Sequence, residues 1–115
     1  MAADFEERPW GRYWVLYDSA DMKVKILELD PGMRLSYQRH GRRSEVWIIT
    51  DGSAEVVIDD EAMKLKEGET IRIGNMQKHR VGNPGDEPLR IVEVQMGDYF
   101  GEDDIERFED DFGRS

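Results

Sequence analysis

The chain has 115 residues and no cysteine, which excludes disulfides, thiolate nucleophiles and cysteine-based zinc sites. Hydrophobic residues make up 38% and charged residues 37%, with three Trp, four Tyr and four Phe. That is too aromatic for a disordered acidic tail, and long enough for one core but not two. A formal net charge of -10 sets the chain against nucleic acid and anionic membrane surfaces, so neither is expected as a partner.

In chain order, short runs rich in Val, Ile, Tyr and Trp alternate with turn residues, and apolar positions do not recur at helical spacing. The predicted strands are 12–17, 23–29, 34–38, 45–50, 54–58, 63–66, 70–73, 80–82 and 89–94. Between them stand Asp30-Pro31-Gly32, Asp51-Gly52, Asp59-Asp60, Glu67-Gly68 and Asn83-Pro84-Gly85. Each is a turn chemistry, and Asp51-Gly52 between two strand-like runs predicts a hairpin. Strands at such regular spacing predict an all-β sandwich or barrel in a single domain covering 1–115. Residues 102–112 differ: Ile105, Phe108 and Phe112 are spaced three and four apart, Glu102, Asp103 and Asp104 suit a helix start, and Gly113 suits its end. A short C-terminal helix is expected there, laying an apolar face on the barrel or on a partner subunit. The longest strictly apolar run, Val46 to Ile49, is four residues, and the first ten residues carry no basic segment followed by an apolar core. No membrane-spanning helix and no secretory signal are therefore expected, and the expected location is cytoplasmic.

Charge is unevenly placed. Residues 101–115 hold seven acids and two bases, net -5. Residues 31–44 contain Arg34, Arg39, Arg42 and Arg43 and no acid, and residues 70–85 contain Arg72, Lys78 and Arg80 and no acid. Average composition would place about seven acids in those two windows. Two readings are open: an anionic ligand docks on a positive island, or these arginines are solvated or pair with the acidic tail.

The only two histidines are His40 and His79. Gln38 and His40 are two apart, so on a strand they leave the same face, and Glu45 opens the next strand after a bend through Gly41. Two imidazoles, one carboxylate and one amide oxygen are a donor set without sulfur, suited to one divalent transition ion: Zn, Mn, Fe, Co or Ni. Sharing one ion requires the two imidazole rings to lie within about 6 Å of each other, because the bonds are near 2 Å.

This pattern resembles the two cupin motifs. The first, residues 32–52, runs Gly32, Gln38, His40, Glu45, Gly52, with Gln38 where the motif has a first His. The second, residues 68–83, runs Gly68, His79, Asn83, with Gly74 and Met76 where the motif has Pro and Gly. The resemblance implies a double-stranded β-helix, or jelly-roll barrel, with the metal inside its mouth. A narrower resemblance, from Arg8 to Arg114, is to the type II phosphomannose isomerase domain. It is carried by Arg8-Pro9-Trp10-Gly11, by Gln38, His40, Arg43, Glu45 and Trp47, and by Lys78-His79-Arg80 and Asn83-Pro84-Gly85. Ile91 to Gly97 and Tyr99 to Ile105 with Arg107 extend it. That domain usually follows a guanylyltransferase half, for which 115 residues leave no room. Two family histidines are replaced, by Arg42 and Val46.

The resemblance implies a metal-dependent interconversion of mannose 6-phosphate and fructose 6-phosphate through an enediolate. Gln38, His40, Glu45 and His79 would hold the ion. Arg43 and Arg80, with Arg34 or Lys78 as further candidates, would hold the phosphate, since guanidinium matches it bidentately. Glu93 is the candidate base: alternation lets it point into the barrel beside Gln95, or equally face solvent while Val92 and Val94 pack inside. The alternative function is a non-catalytic or differently catalytic metal-binding cupin for an anionic sugar or small metabolite. A homodimer is expected because so small a barrel buries little surface, with Phe5, Trp10, Trp14 and the Ile105/Phe108/Phe112 face as candidate contacts.

Overall fold

A computed structural model describes residues 4–101 and 103–113. Among them are eleven β-strands and no helix: β1 Asp4–Arg8, β2 Gly11–Asp18, β3 Met22–Leu29, β4 Tyr37–Arg39, β5 Arg43–Asp51, β6 Ala54–Ile58, β7 Glu61–Leu65, β8 Thr70–Ile73, β9 His79–Gly82, β10 Leu89–Gly97 and β11 Glu106–Glu109. A six-stranded sheet runs β1-β2-β3-β10-β5-β8 and a five-stranded sheet β11-β4-β9-β6-β7, with every pairing antiparallel.

The inward positions of the three central strands change character along their length. On β10, Leu89 and Ile91 are buried in the core, and Glu93 and Gln95 continue the same face. On β5, Ile49 and Trp47 lead to Glu45, and on β3, Leu29 and Leu27 lead to Lys25. Register aligns these changes, because Glu93 pairs with both Lys25 and Trp47, and Gln95 pairs with Glu45. One end of the barrel is therefore an apolar plug, closed by Ala54, Val56, Ile73 and Val81. The other end is a buried polar chamber.

Three local expectations change. Asp51-Gly52 does not close a hairpin: β5 pairs with β10 and β8, β6 pairs with β7 and β9, and the turn instead carries the chain from one sheet to the other. Gly52, at φ 86°, takes the left-handed conformation this corner needs. The two-residue hairpin lies at Asp59-Asp60, both at positive φ, between Ile58 and its partner Glu61. Second, the run 34–38 forms a strand only over Tyr37–Arg39, with Arg34 making a single bridge to Gly82.

Third, the C-terminal helix expected over 102–112 is a strand, with Glu102 lying outside the described residues. Glu106 pairs with Arg39, Arg107 with Gln38 and Glu109 with Tyr37, the register shifting between Arg107 and Glu109. A short acidic helix is marginal in water, whereas the free edge of β4 offers backbone hydrogen bonds and basic cross-strand partners. Phe112 still packs against the core, and Phe108 meets Tyr37 at a tilt, with ring centroids 6.1 Å apart.

Candidate metal centre and the cavity beside it

His40 directly follows β4, Glu45 lies near the start of β5 and His79 opens β9, so three chain segments from both sheets meet. The imidazole centroids are 5.0 Å apart, inside the limit a shared ion sets. His79 Nε2 lies 3.3 Å from Glu45 Oε1, and His40 Nε2 lies 3.7 Å from Glu45 Oε2. All three residues are buried, and their ligand atoms lie within 4.8 Å of one another.

Each imidazole is oriented from behind. His40 Nδ1 donates to the Asp104 carbonyl at 2.9 Å, and His79 Nδ1 donates to the Gln77 carbonyl at 2.9 Å. A carbonyl only accepts, so the proton sits on Nδ1 and the Nε2 lone pairs are turned toward Glu45. His79 Nε2 is buried and has no hydrogen-bond partner, which is what an atom meant for an ion looks like. Gln38 places its amide nitrogen 3.4 Å from His40 Nε2, while its oxygen accepts from Ser36 Oγ at 2.6 Å. Turning the amide over would bring the oxygen to the cluster, and the Ser36 hydroxyl, donor or acceptor alike, would serve the nitrogen. The residues present therefore fit a divalent ion.

Electrostatics bind the cluster together. Arg43 Nε donates to Glu45 Oε2 at 3.1 Å, its Nη2 to His40 Nε2 at 3.2 Å and its Nη1 to the Phe100 carbonyl at 3.3 Å. Burial alone would raise the Glu45 carboxyl, but His79, Arg43 and His40 hold it well below the usual carboxylate range. Burial pushes His40 down to about 4 against the pull of Glu45. Burial also works to lower His79, yet the Glu45 carboxylate beside it outweighs that and holds it up. Gln95 Nε2 bridges Glu45 Oε2 at 3.2 Å and Glu93 Oε1 at 2.8 Å, and Trp47 Nε1 donates to Glu93 Oε2 at 2.8 Å. Glu93 thus faces inward and is pushed up, by burial first and by the Glu45 charge second.

A cavity of about 390 Å³ adjoins this network, and Gln38, Arg43, Glu93 and Gln95 form its inner wall. Its remaining cations are Arg8, Lys25 and Arg107. Arg80, Arg34 and Lys78, expected at a phosphate, do not line it. Arg34 pairs with Asp111 at 2.6 Å and Arg80 with Glu109 at 3.2 Å, while Lys78 sits 4.6 Å above the Phe108 ring. Arg39 and Arg42 pair with Glu106 and Asp98. The arginine-rich windows largely meet acids near or within the C-terminal segment, and only Arg43 from them reaches the cavity.

Reasoning from sequence missed Lys25, Trp47 and Gln95 as site residues, together with the Asp104 carbonyl. Lys25 was legible: it shares a strand face with Leu27 and Leu29, so alternation turns a lysine inward. The two replaced family histidines fall outside the chamber. Val46 lies on the opposite face of β5 from Glu45 and Trp47, and Arg42 is an exposed partner of Asp98.

An antiparallel double-stranded β-helix with a His, Glu, His cluster inside one end defines the cupin class. The sequence comparisons narrow this. The family described as "Mannose-6-phosphate isomerase C-terminal" matches residues 4–110, and the chain belongs to it. "Alginate biosynthesis protein AlgA" of Pseudomonas aeruginosa is 48% identical over 112 residues, covering 94% of this chain and 22% of that protein. "Mannose-1-phosphate guanylyltransferase ManC" of Salmonella typhimurium is 42% identical over 107 residues, covering 93% of this chain and 22% of that protein. The chain thus spans about a fifth of the length of these relatives. Among solved structures, a conserved protein with a double-stranded β-helix domain from Klebsiella pneumoniae superposes with TM-score 0.74 at 23% identity, covering 84% of this chain and 83% of that one.

Proposed function

We propose that this domain interconverts mannose 6-phosphate and fructose 6-phosphate, with one divalent ion held by His40, Glu45, His79 and Gln38. The observation that carries the reading is the position of Glu93: a buried carboxylate on the wall of a cationic cavity, one glutamine away from the ligand cluster. An aldose–ketose isomerisation needs a base that takes a proton from C2 and returns it at C1. A divalent ion would supply Lewis-acid stabilisation of the negative charge that develops on the neighbouring oxygens. Glu93 would move the proton, and its two hydrogen bonds, from Trp47 and Gln95, hold it in one rotamer for both transfers. Arg43 would fix the charge of Glu45 and close the inner wall against water. Arg42 and Val46 stand outside the chamber, so their replacement of family histidines leaves this machinery intact.

A coupled assay with mannose 6-phosphate and added Zn, Mn, Fe, Co or Ni tests the reading. Glu93→Gln is expected to lower kcat by about 10²–10⁴-fold with metal binding retained. Turnover no faster than background with every metal would remove the proposal.

The alternative is a metal-binding cupin that holds an anionic sugar without isomerising it, with Glu93 serving only as the acceptor that Trp47 and Gln95 fix in the wall. Sugar-phosphate binding in calorimetry without turnover would select it.

We further propose a homodimer through the outer face of the six-stranded sheet. Where the inward positions are polar, the outward ones are apolar: Trp14, Ile26, Val92 and Ile48 form one cross-strand row, extended at the edge by Phe5, and Val24, Val94 and Val46 form the next. A water-facing sheet normally reverses that arrangement. Among the described residues no helix is long and apolar enough to cross a membrane, and a cysteine-free chain suits a cytoplasmic site of action.

A further inference from the structure

We infer that the phosphoryl group of the substrate is held at the far end of the cavity by Lys25 and Arg8, and not by the arginine-rich windows around the histidines. This rests on the sugar-phosphate reading above and adds the residues that recognise the anion.

Lys25 lies on the inward face of β3 and is 4% exposed. Taking an ammonium out of water is costly, and alternation would otherwise call for an apolar side chain between the core and the chamber. Its ammonium stands 4.4 Å above the Tyr13 ring. Arg8 stands over the same ring at 5.2 Å, and its Nη2 donates to the Tyr13 hydroxyl at 3.3 Å. One aromatic side chain thereby sets two cations at one end of the cavity, both on its lining. Arg8 also pairs with Glu6 at the cavity rim, while Arg43, on β5, is engaged by Glu45, His40 and the Phe100 carbonyl.

Strand order gives the distance. β3 is two strands from β5, with β10 between them. Adjacent strands lie about 4.8 Å apart and Glu45 sits two residues out of register with Lys25, so their backbones stand about 12 Å apart across the sheet. An extended hexose chain from C1 to a phosphate on C6 has a comparable reach. With the phosphate at Lys25, the reacting carbons fall between Glu93, on the intervening strand, and Glu45. In a chain of net charge -10, a cavity lined by Arg8, Lys25, Arg43 and Arg107 against Glu7 and Glu93 also draws an anion inward. A rival role for Lys25 is to neutralise Glu93, its cross-strand neighbour. The two roles differ in what removal of the charge does.

The test titrates inorganic phosphate into the metal-free full chain, followed by ³¹P NMR or calorimetry. The wild type is expected to bind phosphate, Lys25→Met to bind it at least tenfold more weakly, Lys25→Arg within threefold of wild type, and Arg8→Gln about fivefold more weakly. With mannose 6-phosphate, the Lys25→Met loss should fall on KM rather than kcat. Folded Lys25→Met that binds phosphate like the wild type, with a shifted pH profile of kcat, would show that Lys25 serves Glu93 and overturn the inference. Should Lys25→Met not fold, unchanged phosphate binding in Arg8→Gln overturns it equally. Lys25-dependent phosphate binding without sugar-phosphate turnover would sink the isomerase reading and leave the anion site standing.

Discussion

Replacing Glu45 by Gln keeps the side-chain volume and removes the charge that faces His40, His79 and Arg43. Two consequences are expected. Divalent-ion affinity, read by calorimetry with zinc or manganese, should fall at least 100-fold, because the anionic ligand is gone and Gln95 loses its charged acceptor. The metal-free protein should also lose about 3 kcal/mol in urea unfolding, since the guanidinium of Arg43 stays buried without its counter-charge. Met76 tests a different link, from backbone to stability. It stands where the cupin motif has glycine, at φ 65°, half exposed, with its N–H bonded to the His40 carbonyl at 2.8 Å. Left-handed backbone strains a residue with a Cβ, so Met76→Gly should stabilise by about 0.5–1 kcal/mol, read as a rise in Tm. It should leave ion affinity within twofold.

β11 shows a tertiary pairing overriding a local pattern. Ile105, Phe108 and Phe112 carry helical spacing, and that periodicity was the best local signal in the tail. Residues 106–109 pair instead with β4, and Arg39–Glu106 and Arg80–Glu109 cross to this strand. The same segment orients the metal cluster, because the Asp104 carbonyl holds His40 and the Asp104 carboxylate accepts from the N–H groups of Gly41 and Arg42. Charge reversal at both ends, Glu106→Lys with Glu109→Lys, should therefore loosen strand and site together. The expected results are faster amide exchange across Tyr37–Arg39 and roughly 1 kcal/mol lost in stability. Ion affinity should weaken about tenfold as His40 loses its orientation. Unchanged exchange in β4 would show that backbone bonds alone hold the strand.

For the whole molecule, the inversion of the six-stranded sheet at its chamber end is the dominant feature: ionisable residues inside, valine and isoleucine outside. The inner charges are compatible with burial because they are paired or hydrogen-bonded, as in Glu45 with Arg43 and Glu93 with Trp47 and Gln95. Among the described residues, nothing of the same chain covers the outer apolar rows. Val94→Glu, at the centre of the outer face and pointing away from the chamber, should convert the proposed dimer into a species of 13.4 kDa in light scattering, with ion affinity unchanged. A wild type already at that mass would remove the dimer.

The sequence by itself determined the all-β class and the pairing of its only two histidines with Glu45. Those properties follow from alternation and from motif spacing, both local along the chain. The destination of the arginines was not local. Arg34, Arg39 and Arg80 looked like an anion site because their own neighbourhoods lack acids, yet the acids that meet them lie 29 to 77 residues away. The direction of Glu93 was open for a related reason: a strand apolar on both faces has no face that names itself, and Glu93 turns inward only because register sets it between Lys25 and Trp47. Only the tertiary structure decided these points, because cross-strand register and charge pairing are long-range contacts, and one residue's slip along a strand exchanges inside for outside.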